Sequence, residues 1–274
     1  MRIHLATYAT RRFRHRQVIL GWSAIICGAI DAVSHWSPQD LLAAGFSKRC
    51  PDIPLQERGG GWWVWKPFLI LHELEKLKDG EWLLYCDVGR TYPLKLIYRP
   101  LSVLVRWAEE RGQPCIPGVN IPWTGLMSRW TKRDAFLLAG MDRLEYHTAS
   151  PIQASFSLWK KCPESVAFVE QWLDWCADRR MVTDDPNACG TDNLADYREH
   201  RHDQSLLTLL CLRKGLRGVD LGDTQPGFDE KNPSLVAGAL GETVIARGFG
   251  IRAIRCLACL IGQIEILPRR FLPK

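Results

Sequence analysis

Apolar residues in this chain fall into short runs separated by glycine, proline and charged clusters, and the period of the runs changes along the sequence. The first run, Ile3 to Tyr8, is brief and carries β-branched and aromatic members, which predicts a strand. Positions 16–29 read as a helix. Positions 35–60 are polar and irregular, and Gly59-Gly60-Gly61 closes that stretch as a hinge or tight turn. Pro67 then stands where a helix begins. Ile70, Leu74 and Leu77 follow it at i, i+4 and i+7, one buried helical face. Asp79-Gly80 ends that helix as a turn pair. Trp82 to Cys86 is an apolar run of strand length that delivers Asp87-Val88-Gly89 at its carboxyl end.

Further along, a helix at 101–111 leads into a loop punctuated by proline and glycine, and 153–159 reads as another strand. Val166, Val169, Trp172, Leu173 and Cys176 mark an amphipathic helix. Residues 184–196 form a long polar loop rich in Asp, Asn and Gly. It runs into His202-Asp203-Gln204, after which Leu206, Leu207 and Leu210 resume helical spacing. No internal repeat is present. Helix, turn, buried strand and acidic loop together predict an α/β protein whose open sheet is mixed, mostly parallel and flanked by helices. Such sheets bind ligands beyond the carboxyl ends of their strands. Residues 1–250 read as one domain and 251–274 as a basic, apolar tail.

At 274 residues the chain suits a single large domain, and 46% hydrophobic against 24% charged residues is ordinary for a globular protein. The net charge of +6 is uneven. Arg11, Arg12, Arg14 and Arg16 crowd one end; Arg252, Arg255, Arg269, Arg270 and Lys274 crowd the other. Basic ends fit an anionic partner, whether phospholipid, nucleic acid or phosphorylated substrate, and equally fit solvated surface. Aspartates at the predicted strand ends argue against nucleic acid. The ten cysteines are irregularly spaced, and Cys256 and Cys259 form a CxxC pair that no second pair answers. Free thiols in a reducing compartment follow, and the expected location is cytoplasmic. The opening segment is interrupted by polar residues and runs into arginines, unlike a secretory signal. Residues 251–267 are too short and too charged to span a membrane. Ile251, Ile254, Leu257, Leu260 and Ile261 nevertheless form a stripe beside Arg252 and Arg255. It suits peripheral contact with the anionic inner face of a membrane, or packing as an ordinary final helix.

Three segments carry candidate chemistry. Asp87, just past a buried strand and followed by Gly89, can approach a metal-bound diphosphate closely; Mn²⁺ or Mg²⁺ held by one or two carboxylates and substrate phosphates is the usual arrangement. A turn or capping aspartate is the alternative. Asp203 begins a helix, where a carboxylate is content as a cap. With His202 and Gln204 beside it, the trio can grip sugar hydroxyls and a phosphate together. In Gly61-Trp62-Trp63-Val64-Trp65-Lys66-Pro67, the rings offer a stacking surface or simply core, and Lys66 a phosphate-directed cation. A lysine at a helix start opposes the dipole and is tolerated best beside an anion. No nucleophile elbow, Walker loop, HExxH or GxGxxG occurs, which removes serine hydrolases, P-loop kinases, zincins and dinucleotide dehydrogenases of the usual pattern.

Taken together, Gly60-Gly61-Trp62-Trp63-Val64-Trp65-Lys66-Pro67, the Asp79-to-Gly89 strand and loop, and Arg201-His202-Asp203-Gln204-Ser205 resemble a group of bacterial glycosyltransferases of GT-A type. In that group a GxWxWKP stretch precedes a DGDxLLYxDxG-like strand and an HDQS segment. The resemblance spans roughly residues 3–215. It implies a GT-A fold that binds a nucleotide-sugar donor and passes the sugar to a glycan or lipid-linked acceptor. Asp87 would hold the first position of the DxD metal motif, with Gly89 in place of the second acid. Asp203 and Gln204 look like the DQ pair that contacts the donor sugar; for an inverting transfer a carboxylate must serve as base, with Asp203 the candidate and Asp184 and Asp185 behind it. Lys66, Trp65, His202, Tyr8 and Gly89 complete the expected binding set. The missing second acid leaves open a non-catalytic protein that binds nucleotide-sugar or carbohydrate on the same fold.

Overall fold

The computed structural model describes residues 1–26, 30–88 and 101–220. Gly89, the CxxC pair and the 251–274 tail lie outside the described residues. The strands are β1 (Ile3–Tyr8), β2 (Ala32–Trp36), β3 (Trp82–Cys86), β4 (Cys115–Ile116), β5 (Val119–Asn120), β6 (Ile152–Gln153) and β7 (Phe156–Lys160). Five of them make a central sheet in the order β2-β1-β3-β7-β4, while β5 and β6 pair separately. β1 is parallel to both neighbours, and β7 runs antiparallel to β3 and to β4. The sheet is thus mixed and mostly parallel, with helices on its faces.

Through the first half of the chain the helices are α1 (Arg14–Ile26), α2 (Pro38–Ala43), α3 (Phe46–Arg49), α4 (Arg58–Gly61), α5 (Trp65–Lys76) and α6 (Leu101–Glu110). Through the second they are α7 (Met127–Trp130), α8 (Arg133–Leu138), α9 (Leu144–His147), α10 (Pro163–Ala177), α11 (Arg179–Val182) and α12 (His202–Lys214). Among the described residues no helix is long and apolar enough to cross a membrane.

Strand alternation divides the core in two. Ile3, Leu5, Trp82, Leu84 and Cys86 pack with Leu20 and Ala24 of α1 and Leu104 of α6. Ala6, Tyr8, Leu83 and Tyr85 pack on the other side with α5, α10 and α12. β3 is buried on both faces, which is why its sequence is a continuous apolar run. Trp82, Leu83 and Leu84 are each 1% exposed or less, and full burial of such side chains contributes roughly 1.5–3 kcal/mol apiece.

Three local expectations need correction. The stretch at 35–60 is structured: Trp36 ends β2 in register with Tyr8, and α2 opens with a capping box. There the Asp40 amide donates to Ser37 Oγ and the Ser37 amide donates to Asp40 Oδ2 at 2.8 Å, with Pro38 at the first helical position. The expected strand at 153–159 is broken in two. β6 pairs with β5 and β7 joins the central sheet, because 154–155 turn between them to give the Asp87 amide a carbonyl partner, Ser155 O at 2.9 Å. Finally, α5 begins at Trp65 rather than Pro67. Pro67 still lies among the first residues of the helix, whose N–H groups have no intrahelical partner to lose.

Candidate active site

A cavity of about 370 Å³ opens where Asp87, the amino end of α5 and the amino end of α12 converge. Cys86 ends β3 at the same edge where Tyr8 ends the parallel β1, so the cavity lies at the carboxyl edge of the parallel strands. Lys66, Asp87, His202, Asp203 and Gln204 all line it, from segments far apart in sequence.

Lys66 is the hub. Its Nζ lies 2.8 Å from Asp203 Oδ2 and 3.8 Å from Asp87 Oδ1, and its side chain is 4% exposed. The ring of Tyr85 lies beneath it, 5.6 Å from Nζ to the centroid. Burial works against the lysine charge, but Asp203 and Asp87 more than reverse this and raise its pKa. Burial pushes the carboxyl of Asp203 up to about 6 against the pull of Lys66. The pair is therefore ionised at neutral pH, with Asp203 within reach of protonation. Lys66 is committed to two carboxylates. The anion expected beside this lysine is present twice, as Asp203 and Asp87, and Lys66 faces the same cavity as both acids. The cavity's other cations, Arg58 and Arg201, are more open: their side chains are 50% and 27% exposed.

Asp87 is held from inside the protein. The Tyr85 hydroxyl donates to Asp87 Oδ1, and burial, followed by the Asp87 charge, keeps that phenol well above its usual pKa. Asp87 Oδ2 has no partner among the described residues, and the side chain is 32% exposed. This is the oxygen that fits a Mn²⁺ or Mg²⁺ shared with a diphosphate. Among the described residues no group of three or more His, Cys, Asp or Glu side chains could hold a metal ion.

At α12 the amino end is anchored on several sides. The Trp172 indole donates to the Asp203 carbonyl at 3.0 Å, and the Ser205 hydroxyl donates to Trp130 O at 2.5 Å. His202 donates from Nδ1 to Val182 O at 2.8 Å, since a carbonyl can only accept. Its buried Nε2 then carries the lone pair, has no hydrogen-bond partner among the described residues and lies 3.8 Å from Asp184 Oδ1. Burial lowers the pKa of His202, and lowers that of neighbouring His200 further.

Backbone strain is concentrated here. Among the described residues, Trp62, Trp63 and His202 are the non-glycine residues with positive φ, at 54°, 59° and 46°. Bulky side chains rarely adopt this region, and it costs about 1–3 kcal/mol each. The His202 ring stacks on Trp63 at 5.3 Å and lies 4.9 Å from Trp62. Gly59, itself at φ 66°, makes room for this stack: a Cβ there would lie 2.5 Å from the Trp63 ring.

Trp65 and Tyr8 sit elsewhere. They stack on each other at 4.0 Å, 5% and 8% exposed, with the Trp65 indole donating to Gly59 O. Burial raises the Tyr8 hydroxyl to about 12. They belong to the core beneath the cavity, and Trp63 is the tryptophan that lines it. Sequence reasoning assigned Arg58 and Arg201 no role at the site, and it offered the rings of Trp62, Trp63 and Trp65 alike as stacking surface or core. The three-glycine run after Arg58 was a signal that this backbone is unusual. Nothing local distinguishes Trp63 from its neighbours.

The loop at 183–201 forms one rim, and it is pinned. Asp134 accepts from the amides of Ala188 and Cys189 at 2.7 and 2.9 Å. Lys132 Nζ donates to Asp185 O at 2.7 Å, and Arg58 pairs with Asp184 at 2.6 Å. Compared with protein-family models, curated proteins and solved structures, the chain matches none of them.

Proposed function

We propose that this protein is a glycosyltransferase of GT-A type, moving a sugar from a nucleotide-sugar donor to a glycan or lipid-linked acceptor on the cytoplasmic side of a membrane. The observation that carries the reading is the convergence of Asp87, Lys66 and Asp203 on one cavity at the carboxyl edge of a mostly parallel sheet. In this reading Arg58 and Arg201 meet the donor diphosphate, and their charge offsets what develops on the nucleotide as the glycosidic bond breaks. A bound divalent cation, with Asp87 Oδ2 as its protein ligand, would add Lewis-acid stabilisation of the same leaving group. Asp203 accepts the proton of the attacking acceptor hydroxyl, a role suited to a carboxyl whose pKa lies near 6. Gln204 and His202, which both line the cavity, orient sugar hydroxyls.

The test is a thermal-shift screen of nucleoside diphosphates and nucleotide-sugars with and without Mn²⁺, followed by a transfer and hydrolysis assay on every ligand that binds. A ligand at about a hundred times its dissociation constant stabilises by roughly 2.7 kcal/mol. No shift with any member of the panel overturns the reading. Because Lys66 already engages Asp203, binding without transfer is the second reading, and turnover of a bound donor rules it out.

A further inference from the structure

We propose that the outward face of α1, together with the arginines that lead into it, docks on an anionic lipid bilayer. The first thirty residues hold five arginines and no aspartate or glutamate. α1 turns Gln17, Leu20 and Ala24 inward, and the Gln17 amide donates to the carbonyls of Thr7 and Trp36 at 2.9 Å each. Arg14, Val18, Trp22 and Ile25 recur at i, i+4, i+8 and i+11, which gathers them on one face. Trp22 is 64% exposed and Ile25 54%. These are large apolar side chains left mostly open on a helix that buries Gln17, Leu20 and Ala24.

Among the described residues, the contacts at the basic end of that face are to neutral groups. Arg14 donates to the neutral Gln17 at 2.6 Å, and the Arg12 guanidinium lies over the Phe13 ring at 5.5 Å. Among the described residues no carboxylate pairs with Arg11, Arg12 or Arg14. The helix has no acid in its first turn, so its dipole repels these cations and favours an external anion. A soluble phosphate would use the arginines alone. Trp22 and Ile25, two to three turns further along, select a surface whose headgroups are anionic and whose interior is apolar. The segment 221–274 is a poor rival occupant, since its seven basic and five acidic residues give charge no reason to draw it to the arginines. The face begins just after β1, at the sheet edge that bears the cavity, so docking would hold that edge towards the membrane.

Flotation of the full chain with phosphatidylcholine vesicles, with and without phosphatidylglycerol, tests this independently of any transferase activity. The chain should float with the anionic vesicles alone, and less as salt is raised. R11Q/R12Q/R14Q should weaken binding on the order of a hundredfold, as expected for three cations near the surface. W22S/I25S should lose flotation at any salt, while keeping the wild-type melting temperature because both side chains are exposed. Absence of flotation with anionic vesicles overturns the proposal. So does flotation that both variants retain, which would assign membrane contact to another part of the chain. Inorganic phosphate that displaces the protein at unchanged ionic strength would make the arginines a soluble-anion site, and would also overturn it.

Discussion

Two helix beginnings meet at the cavity, and their charges follow opposite logic. α12 carries Asp203 in its first turn, where the helix dipole favours a carboxylate; α5 carries Lys66 in its first turn, where the dipole opposes a cation. Neither has a side-chain cap. Asp203 is explained by its own helix, whereas Lys66 is explained only by the other helix and by β3, through contacts of 2.8 Å to Asp203 and 3.8 Å to Asp87. The locally unfavourable residue is therefore the better marker of a site, because something distant must compensate it.

The largest expected effect comes from removing that compensator. Lys66→Met should cost about 3–5 kcal/mol of unfolding free energy, since it strands a buried carboxylate. Asp203→Asn should cost less, because Asp87 still faces the lysine. Urea denaturation of both variants ranks them, and the reverse order would mean that Lys66 is not the hub. Next comes Asp87→Asn, which keeps shape and removes charge at a partly exposed position. Transfer should fall about 10²–10³-fold, with stability changed by no more than about 1 kcal/mol. Wild-type turnover in saturating Mn²⁺ would reduce Asp87 to a structural turn residue.

A pH series sharpens the contrast between the helices. The raised pKa of Asp203 means that its protonated form stabilises the fold below its unfolded value of 3.8, and that this contribution is lost as pH rises through about 6. Donor turnover should move the other way, increasing as Asp203 ionises through the same window. Paired melting and rate profiles read both trends, and Asp203→Asn should flatten the stability change between those pH values. The smallest effect is Arg58→Gln. It breaks a half-exposed pair with Asp184 and should leave stability unchanged within about 0.5 kcal/mol. Its affinity for a nucleoside diphosphate should fall roughly five- to tenfold, the loss of about one charge-assisted contact. Isothermal titration with UDP, GDP and ADP in turn measures it; unchanged affinity for every diphosphate that binds would remove Arg58 from the diphosphate site.

Much of the fold was legible because its signals are local. The run at Trp82–Cys86 predicted a buried strand, and Val166, Val169, Trp172, Leu173 and Cys176 predicted the inward face of α10, where all but the half-buried Val166 are buried. The capping box of Ser37 and Asp40 was equally local, and the polar look of 35–60 obscured it. At the site, Asp87, Lys66, Asp203, His202 and Gln204 were all nominated from sequence, and all five line one cavity. Trp65 and Tyr8 were nominated as well, but they stack in the core beneath it.

By itself, then, the sequence determined β1, β3 and α10 and the placing of Asp87 and Asp203 at element ends, because hydrophobic period and end residues act within a few positions along the chain. Tertiary structure alone decided that β7 enters the sheet reversed, that Trp63 rather than Trp65 faces the cavity, and that Lys66 is held between two acids. It also set the left-handed backbone of Trp62, Trp63 and His202. Each of those outcomes depends on which surfaces compete for burial and which charges meet once distant segments pack together, and no local pattern encodes that competition.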